Sequence, residues 1–464
     1  METRLRDQNL FGWDRQSEPG DTHWIYLPLI QSPEKINQRI NAPFFAGDIL
    51  FSETGIFWFG LVNPSDNYAD VRVGYNPSEL FVNITAFDRR LWFNKTPSTS
   101  DIREWDAVAL LLNLEGDTGN APGQRSFQLI GQLNGGGARE NWQAGYRGNG
   151  TTWLKAPLDF STVSGWRGNS LNDDGDDRGW TMAFHVPFSS LGLSGPPTEG
   201  VTWGLSLVLH DRDDAAGAPI SDKSWPLRTD MNRPTTWGQL VFGLPAFSPP
   251  SATPAGIVTI REGLAGTRVP DAHVGGGFVC GQPYGPDYFS RWGDANYAGY
   301  QQVNIQNQFD VADWPCFSKY YVTFPLEDIP KGKVILSSIL RMFLFGNSGQ
   351  GLEPAPQPSL IQVSTLREGW EESTITWNNA PLPVENVSRT WVNPVENLPG
   401  YPGIPYEWNV SRAAADAYEA GEPLRLVLYS ADGAYNSGKY FFSSDTGEWN
   451  AEGRPTLEVR WGEP

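Results

Sequence analysis

The chain is poor in the side chains that most enzymes use for covalent or metal-assisted chemistry. Its 464 residues include four histidines, four methionines and two cysteines. It has no G-x-S-x-G elbow, no H-E-x-x-H pair and no cysteine–histidine arrangement of the kind that activates a nucleophile. It also lacks any run of about 18 apolar residues, so no membrane-inserting helix is expected. Positive charge is scarce: 34 Lys and Arg stand against 53 Asp and Glu, a formal charge of −19. Both halves are acidic, which excludes a basic nucleic-acid face. The opening Met1-Glu2-Thr3-Arg4 has none of the apolar stretch of about 7–15 residues that a secretory signal needs.

Glycine, proline and aromatic rings are abundant instead: 50 Gly, 37 Pro and 20 Trp, with aromatics at 13 %. Many short strands joined by many turns require this composition. The expected fold is all-β, with two β-sandwich or jelly-roll domains. Four prolines with small residues in Leu244 to Gly256 (LPAFSPPSATPAG) read as a stiff connector. The division is 1–244 for the first sandwich, 245–256 for the Pro-rich linker and 257–464 for the second.

Alternation at period two marks the strands. Asp70–Tyr75 and Leu80–Thr85 flank the turn Asn76-Pro77-Ser78, a hairpin pattern. Trp105–Leu114 is almost continuously apolar, as in a strand buried on both faces. Trp180–Phe188, Thr202–His210 and Thr236–Phe242 complete the first domain. Lys319–Phe324, Val334–Phe345, Leu360–Leu366, Leu424–Tyr429 and Thr456–Trp461 are strands of the second. One helix is expected over Ser411–Glu419, capped by Asn409 or Ser411 and stopped by Gly421.

Three groups of residues stand out as candidate sites. Cys280 and Cys316, the two cysteines, are expected to form a disulfide that closes a loop of about 36 residues. Calcium is a candidate ligand at two oxygen-rich loops. One is Asn172-Asp173-Asp174-Gly175-Asp176-Asp177, with Asp173, Asp174, Asp176 and Asp177 as ligands; the other holds Asp211 and Asp213 beside His210. The third group is aromatic, because sugar rings stack their C–H faces on exposed Trp and Tyr. Trp105, Trp166 and Trp225 are its members in the first half. Tyr284, Tyr288, Trp292, Tyr297 and Tyr300 are its members in the second, in an insertion from Gly275 to Trp314 that also carries Asp287, Arg291 and Asp294.

The first half resembles family 9 carbohydrate-binding modules and the related DOMON-like sandwiches. The likeness is carried by VRVGYNPSELFVNITAFD (Val71–Asp88), REWDAVALLLN (Arg103–Asn113), GWTMAFHVPFSSLGL (Gly179–Leu193), WGLSLVLHDRDD (Trp203–Asp214) and PTTWGQLVF (Pro234–Phe242). Asp106 and Val108 match the family's W-x-x-D-x-V-E pattern, but Arg103 stands at its Trp and Ala109 at its Glu. Met182, Met231, His185 and His210 offer no evident haem-ligating pair, and no organic cofactor is expected. The second half resembles the DNRLRE domain, also described as carbohydrate-binding module family 96. GWEESTITWNNAP (Gly369–Pro381), YFFSSDTGEWNAEGRPTLEVRW (Tyr440–Trp461) and KYYVTFPLEDIPKGKVILSSILRMFLF (Lys319–Phe345) carry it.

Both resemblances imply non-catalytic binding of an extracellular polysaccharide, by a secreted or cell-surface protein with two linked modules. One alternative is a self-associating structural subunit of a surface layer or filament. The other is a polysaccharide lyase or glycoside hydrolase, for which His210 and its neighbouring acids are the one cluster to test.

Overall fold

A computed structural model describes residues 38–464 except 98–101, 137–140, 217–218, 277–287, 308–315 and 352. Its first sandwich packs a sheet of eight strands against one of five. The larger sheet runs, in hydrogen-bonded order, Arg39–Ala42, Gly238–Phe242, Thr202–Asp211, Ala107–Asn113, Ser126–Gln132, Gln143–Gly148 and Trp153–Lys155. Ile220–Trp225 joins it beside Thr202–Asp211. The smaller sheet runs Gly55–Asn63, Asp66–Tyr75, Glu79–Phe87, Gly179–Pro187 and Ser161–Arg167. The expected hairpin around Asn76 forms, with Tyr75 opposite Leu80. Asn76 Oδ1 closes its turn by accepting from the amides of Ser78 and Glu79. Ala107–Asn113 is buried along its whole length, as its unbroken apolar character requires.

The second sandwich is one sheet of eleven strands, curled so that its two halves face each other. Its order is Thr253–Arg261, Thr456–Glu463, Val334–Asn347, Lys439–Phe442, Gln302–Asn307, Phe317–Phe324, Leu424–Ser430, Ser359–Thr365 and Glu385–Val392. Asp271–Gly275 pairs with Phe317–Phe324, and Ile404–Asn409 pairs with Val334–Asn347. The longest helix among the described residues is Ser411–Ala420, ended by Gly421 in the left-handed conformation. Asn409 Oδ1 accepts from the Ser411 amide at its start. The first strand of this sandwich begins at Thr253, inside the Pro-rich segment. Pro254 is tolerated there because Thr253–Arg261 is an edge strand with a bulge between Pro254 and Gly256.

The two sandwiches are not beads on a string. Asn37–Pro464 is one compact unit, and a third apolar cluster belongs to both halves. Ile56, Trp58, Val62, Tyr68 and Phe87 pack there against Tyr288, Trp292, Phe317, Tyr321, Trp377 and Tyr429. Lys319 lies at its centre, 1 % exposed. Its ammonium donates to Tyr68 Oη at 2.6 Å. It also sits 3.5 Å from the Trp377 ring centroid, 4.2 Å from Trp58 and 5.0 Å from Tyr429. Tyr68 Oη in turn donates to Asp70 at 2.5 Å, and Tyr429 Oη and Asn307 Nδ2 donate to the other Asp70 oxygen. Burial pushes the Lys319 ammonium well below the ordinary lysine value, and Asp70 opposes that shift.

Further ties cross between the halves, among them two polar clasps. Arg72 Nε donates to the Ala431 carbonyl and its Nη2 to that of Asp432. Asn41 and Asn386 clasp each other: Asn41 N donates to Asn386 Oδ1 at 2.8 Å, and Asn386 Nδ2 to the Asn41 carbonyl at 3.0 Å. Removing one member of a buried ionic network leaves its partner desolvated and unpaired, which costs about 3 kcal/mol or more. Lys319→Met is therefore expected to destabilise the chain by at least that amount in urea denaturation. An unchanged midpoint would show that the ammonium is dispensable.

Candidate functional site

The insertion expected to present a wet aromatic surface turns inward instead. Tyr288 and Trp292 are buried, their rings 4.9 Å apart, and Trp292 lies 4.7 Å from Trp377. Gly275, at φ +107°, makes room for them: a Cβ there would meet the Trp292 ring at 3.1 Å. Tyr297 is buried too, stacked on the His273 ring at 4.4 Å. Arg291 is exposed at the end of the short helix Tyr288–Arg291, and Tyr284 and Asp287 lie outside the described residues. The reason for the reversal is the second sandwich's partner, because rings that look solvent-facing in one domain become interface core when another packs on them.

Trp225 also belongs to the core. Its ring packs on Phe57 at 4.3 Å and occupies the space that a Cβ on Gly238 would take, at 2.8 Å. Trp166 is half-buried on Ser161–Arg167 against the first core, opposite Trp180. Trp105 is half-buried with the Arg212 guanidinium 4.5 Å over its ring. Of the ring candidates among the described residues, Tyr300 stays exposed, edge to face with the buried Tyr297 at 5.5 Å, and the others are buried or half-buried.

An open platform of two rings does exist in the second sandwich. Tyr401 is 71 % exposed and Trp449 56 %. Their rings meet edge to face at 4.6 Å, a geometry the aromatic quadrupole favours. Phe442 supports both rings from below, and Phe345 packs 4.7 Å from Phe442. Alternation along Val334–Asn347 explains the placing. Leu340, Met342 and Leu344 point into the core, while Arg341, Phe343 and Phe345 point out. The same outer face carries Arg341 paired with Glu407 at 2.7 Å and Arg460 paired with Glu458 at 3.3 Å. Rings at one end and charged donors and acceptors along the strands make a surface that can stack a sugar and bond its hydroxyls. Both rings come from turn-rich stretches, NLPGYPGIP and TGEWNAEGRP. An aromatic flanked by Gly, Pro and acidic residues was the available signal.

The acidic loop is not a convergent ligand set. Asp176 pairs with Arg89 at 2.7 Å, and Asp174 with Arg90 at 3.8 Å. Asp173 accepts from the Gly175 amide and from Ser170 Oγ. Asp177 accepts from the Asn169 amide, and burial pushes its carboxyl up to about 6. Two arginines that the sequence places far away, at 89 and 90, answer the charge expected to hold calcium.

Asp211 behaves differently. It comes together with Asp88 and Asp106, all three buried, with carboxylate oxygens within 4.8 Å of one another. Burial raises all three carboxyls; repulsion from Asp211 adds to it at Asp88, from Asp88 and Asp211 at Asp106, and from Asp213 at Asp211, which is pushed up to about 7. Asp213 stands half-buried beside them, raised by burial and opposed by Arg90 and Arg89. His210 Nδ1 lies 2.9 Å from Asp222 and its ring is buried, which leaves no imidazole open to a substrate there. A second acidic trio, Asp271, Glu372 and Asp445, also converges. Asp271 is already satisfied by Ser444 N, Ser444 Oγ and Tyr320 Oη. Cys316 is buried, and Cys280 lies outside the described residues.

His273 supplies a pH test of this packing. Burial pushes its imidazole down to about 4, whereas the unfolded chain takes up that proton near the ordinary value of about 6.5. Its contribution to stability is therefore intact at neutral pH and lost as pH falls from about 6.5 towards 4. Asp271, two residues away and pushed up to about 7 by burial, works in the opposite sense over the same window, so the two must be separated by mutation. The stability difference between wild type and His273→Gln is expected to shrink by about 3 kcal/mol between pH 7 and pH 4. A difference that does not change with pH would mean the ring is not held neutral.

Comparison with known proteins adds the following. No curated protein matches the chain. A family 9 carbohydrate-binding module from Caldicellulosiruptor kristjanssonii, solved with cellotriose, is 14 % identical over 44 % of this chain and 93 % of its own, with a TM-score of 0.32. The same organism's module with glucose is 14 % identical over 46 % and 100 %, TM-score 0.32. A carbohydrate-binding protein from Bacteroides uniformis, so described provisionally, is 12 % identical over 44 % and 99 %, TM-score 0.33. The model of carbohydrate-binding module family 96 matches residues 289–459, most of the second sandwich, including both Tyr401 and Trp449.

Proposed function

We propose that the protein binds a polysaccharide without cleaving it, and that the outer face of the second sandwich is the binding surface. The observation that carries this is the Tyr401–Trp449 pair, two large rings left in water on the segment that matches a carbohydrate-binding family. Exposed apolar side chains gathered into one patch rimmed by polar groups are a mark of a ligand-binding surface. Their flat faces suit the C–H face of a sugar, and Arg341, Glu407, Glu458 and Arg460 supply hydroxyl partners beyond them. The face is open, not a deep cleft, which suits an internal stretch of a long chain better than a chain end.

The first sandwich would act as a second module on a rigid base. With the two sandwiches held together by Lys319 and Asp70, any two sugar contacts on one polymer would be fixed in spacing. Avidity would then follow from high effective concentration. A secreted or cell-surface setting fits this role, and so does a bridge from Cys316 to Cys280, since disulfides persist in oxidising compartments.

The test is retention by a panel of soluble polysaccharides in affinity electrophoresis, with product analysis alongside. Retention without new reducing ends or unsaturated uronate is expected. Tyr401→Ala and Trp449→Ala should each weaken it about tenfold, in line with aromatic hot spots. Trp166→Ala should leave it unchanged. Retention unaffected by both platform variants would place the sugar elsewhere, and new chain ends would make the protein an enzyme.

A further inference from the structure

We propose that the Pro-rich connector and the second sandwich enclose a second sugar subsite, which holds another unit of the chain lying on the Tyr401–Trp449 platform. This rests on the polysaccharide reading and extends it from one anchor to two. The subsite is a cleft of about 260 Å³, where Ala246 and Phe247 of the connector face Ser388, Asn409, Arg412 and Ala413. Ser388 lies on the strand Glu385–Val392, and the last three stand at the start of the helix Ser411–Ala420. The volume is a little below the roughly 300 Å³ at which pockets for drug-sized ligands begin, so it suits a single sugar unit.

The lining is mixed in the way a sugar needs. Phe247 is half-buried and belongs to none of the apolar clusters of the two sandwiches. Its ring has no core to serve and forms a wall of the cleft instead. Asn409 Oδ1 accepts from the Ser411 amide and hydroxyl, which leaves Nδ2 to donate to a ligand. Ser388 adds a hydroxyl. Arg412 pairs with Glu385 at 2.5 Å, Arg39 reaches the same carboxylate at 3.7 Å, and Asp416 lies in the field of both arginines. Two cations thus answer two carboxylates. The cleft presents donors and acceptors without an uncompensated charge, which suits hydroxyls better than a carboxylate or an ammonium.

Cleft and platform share one face. Alternation along Ile404–Asn409 buries Trp408 and turns Pro405, Glu407 and Asn409 outward. Asn409 stands opposite Ile339, Glu407 opposite Arg341 and Pro405 opposite Phe343. Phe345, next on that side of the strand, packs on the Phe442 ring that supports Tyr401 and Trp449. From Ile339 to Phe345 a strand covers about 20 Å, more than one sugar unit can bridge. A long chain reaches both anchors and passes over the Arg341–Glu407 pair between them, whereas a short one occupies only one.

The full chain is to be titrated calorimetrically with a ladder of oligosaccharides, disaccharide to octasaccharide, cut from a polysaccharide that it retains. Affinity should step up about tenfold or more once the chain is long enough to span both anchors. Ala246→Trp pushes a ring into the cleft from an exposed connector position, and Phe247→Ala removes its wall. Each should bring the long members down to the affinity of the short ones, with melting curves as the check on folding. Tyr401→Ala should weaken every member. Equal affinity along the ladder that Tyr401→Ala still lowers overturns the second subsite and leaves the platform standing, as does a step that survives Ala246→Trp. No binding at any length overturns the platform reading and this one with it.

Discussion

A single ammonium group buried between two β-sandwiches organises this molecule. Lys319 projects from the second sandwich into a cage of Trp58, Tyr68, Trp377 and Tyr429, and Asp70 reaches the same cage through the Tyr68 hydroxyl. Neither charge would tolerate such a position alone. Each ring face adds an attraction of about 2 kcal/mol or more when desolvated, and the hydroxyl and amide donors satisfy the carboxylate. The result fixes one sandwich on the other in a single arrangement, because any slip would strand a charge in an apolar layer.

That arrangement decides what remains for a ligand. The short helix and turn from Tyr288 to Tyr297 are consumed as interface, and Trp225 is consumed by the first core. Aromatics that could have faced a polysaccharide are therefore spent on joining the modules. Two of the rings that stay outside, Tyr401 and Trp449, lie on the outer face of the second sandwich, where Phe345 and Phe442 form a floor for them. On the proposed reading, joining the modules and binding a glycan fall to different sets of aromatics.

Much of the architecture could be read from the residues. Alternation along Val334–Asn347, the apolar run at Ala107–Asn113, the turn at Asn76 and the helix ended by Gly421 are local signals, and each appears where local physics puts it. The candidate site was less legible, because burial of a loop ring depends on what packs over it. Tyr288 and Trp292 sit among Gly, Asp and Ser, as a solvent-facing loop would, and nothing within their own segment records that Trp58 and Trp377 will cover them. The acidic residues show the same limit. Asp173 to Asp177 form the denser cluster in sequence, yet Arg89 and Arg90 neutralise it. Asp88, Asp106 and Asp211 are single acids at three strand ends, and only the stacking of two sheets brings them together.

Oxidative footprinting of the intact protein by hydroxyl radicals, with and without a polysaccharide that it retains, tests the division between joining rings and binding rings most directly. Trp449 and Tyr401 should be reactive in the free protein and shielded in the complex, while Trp292 and Tyr288 stay unreactive in both. Ready oxidation of Trp292 in the free protein, or shielding that falls on Trp105 and Trp166 and spares Trp449, would contradict the account.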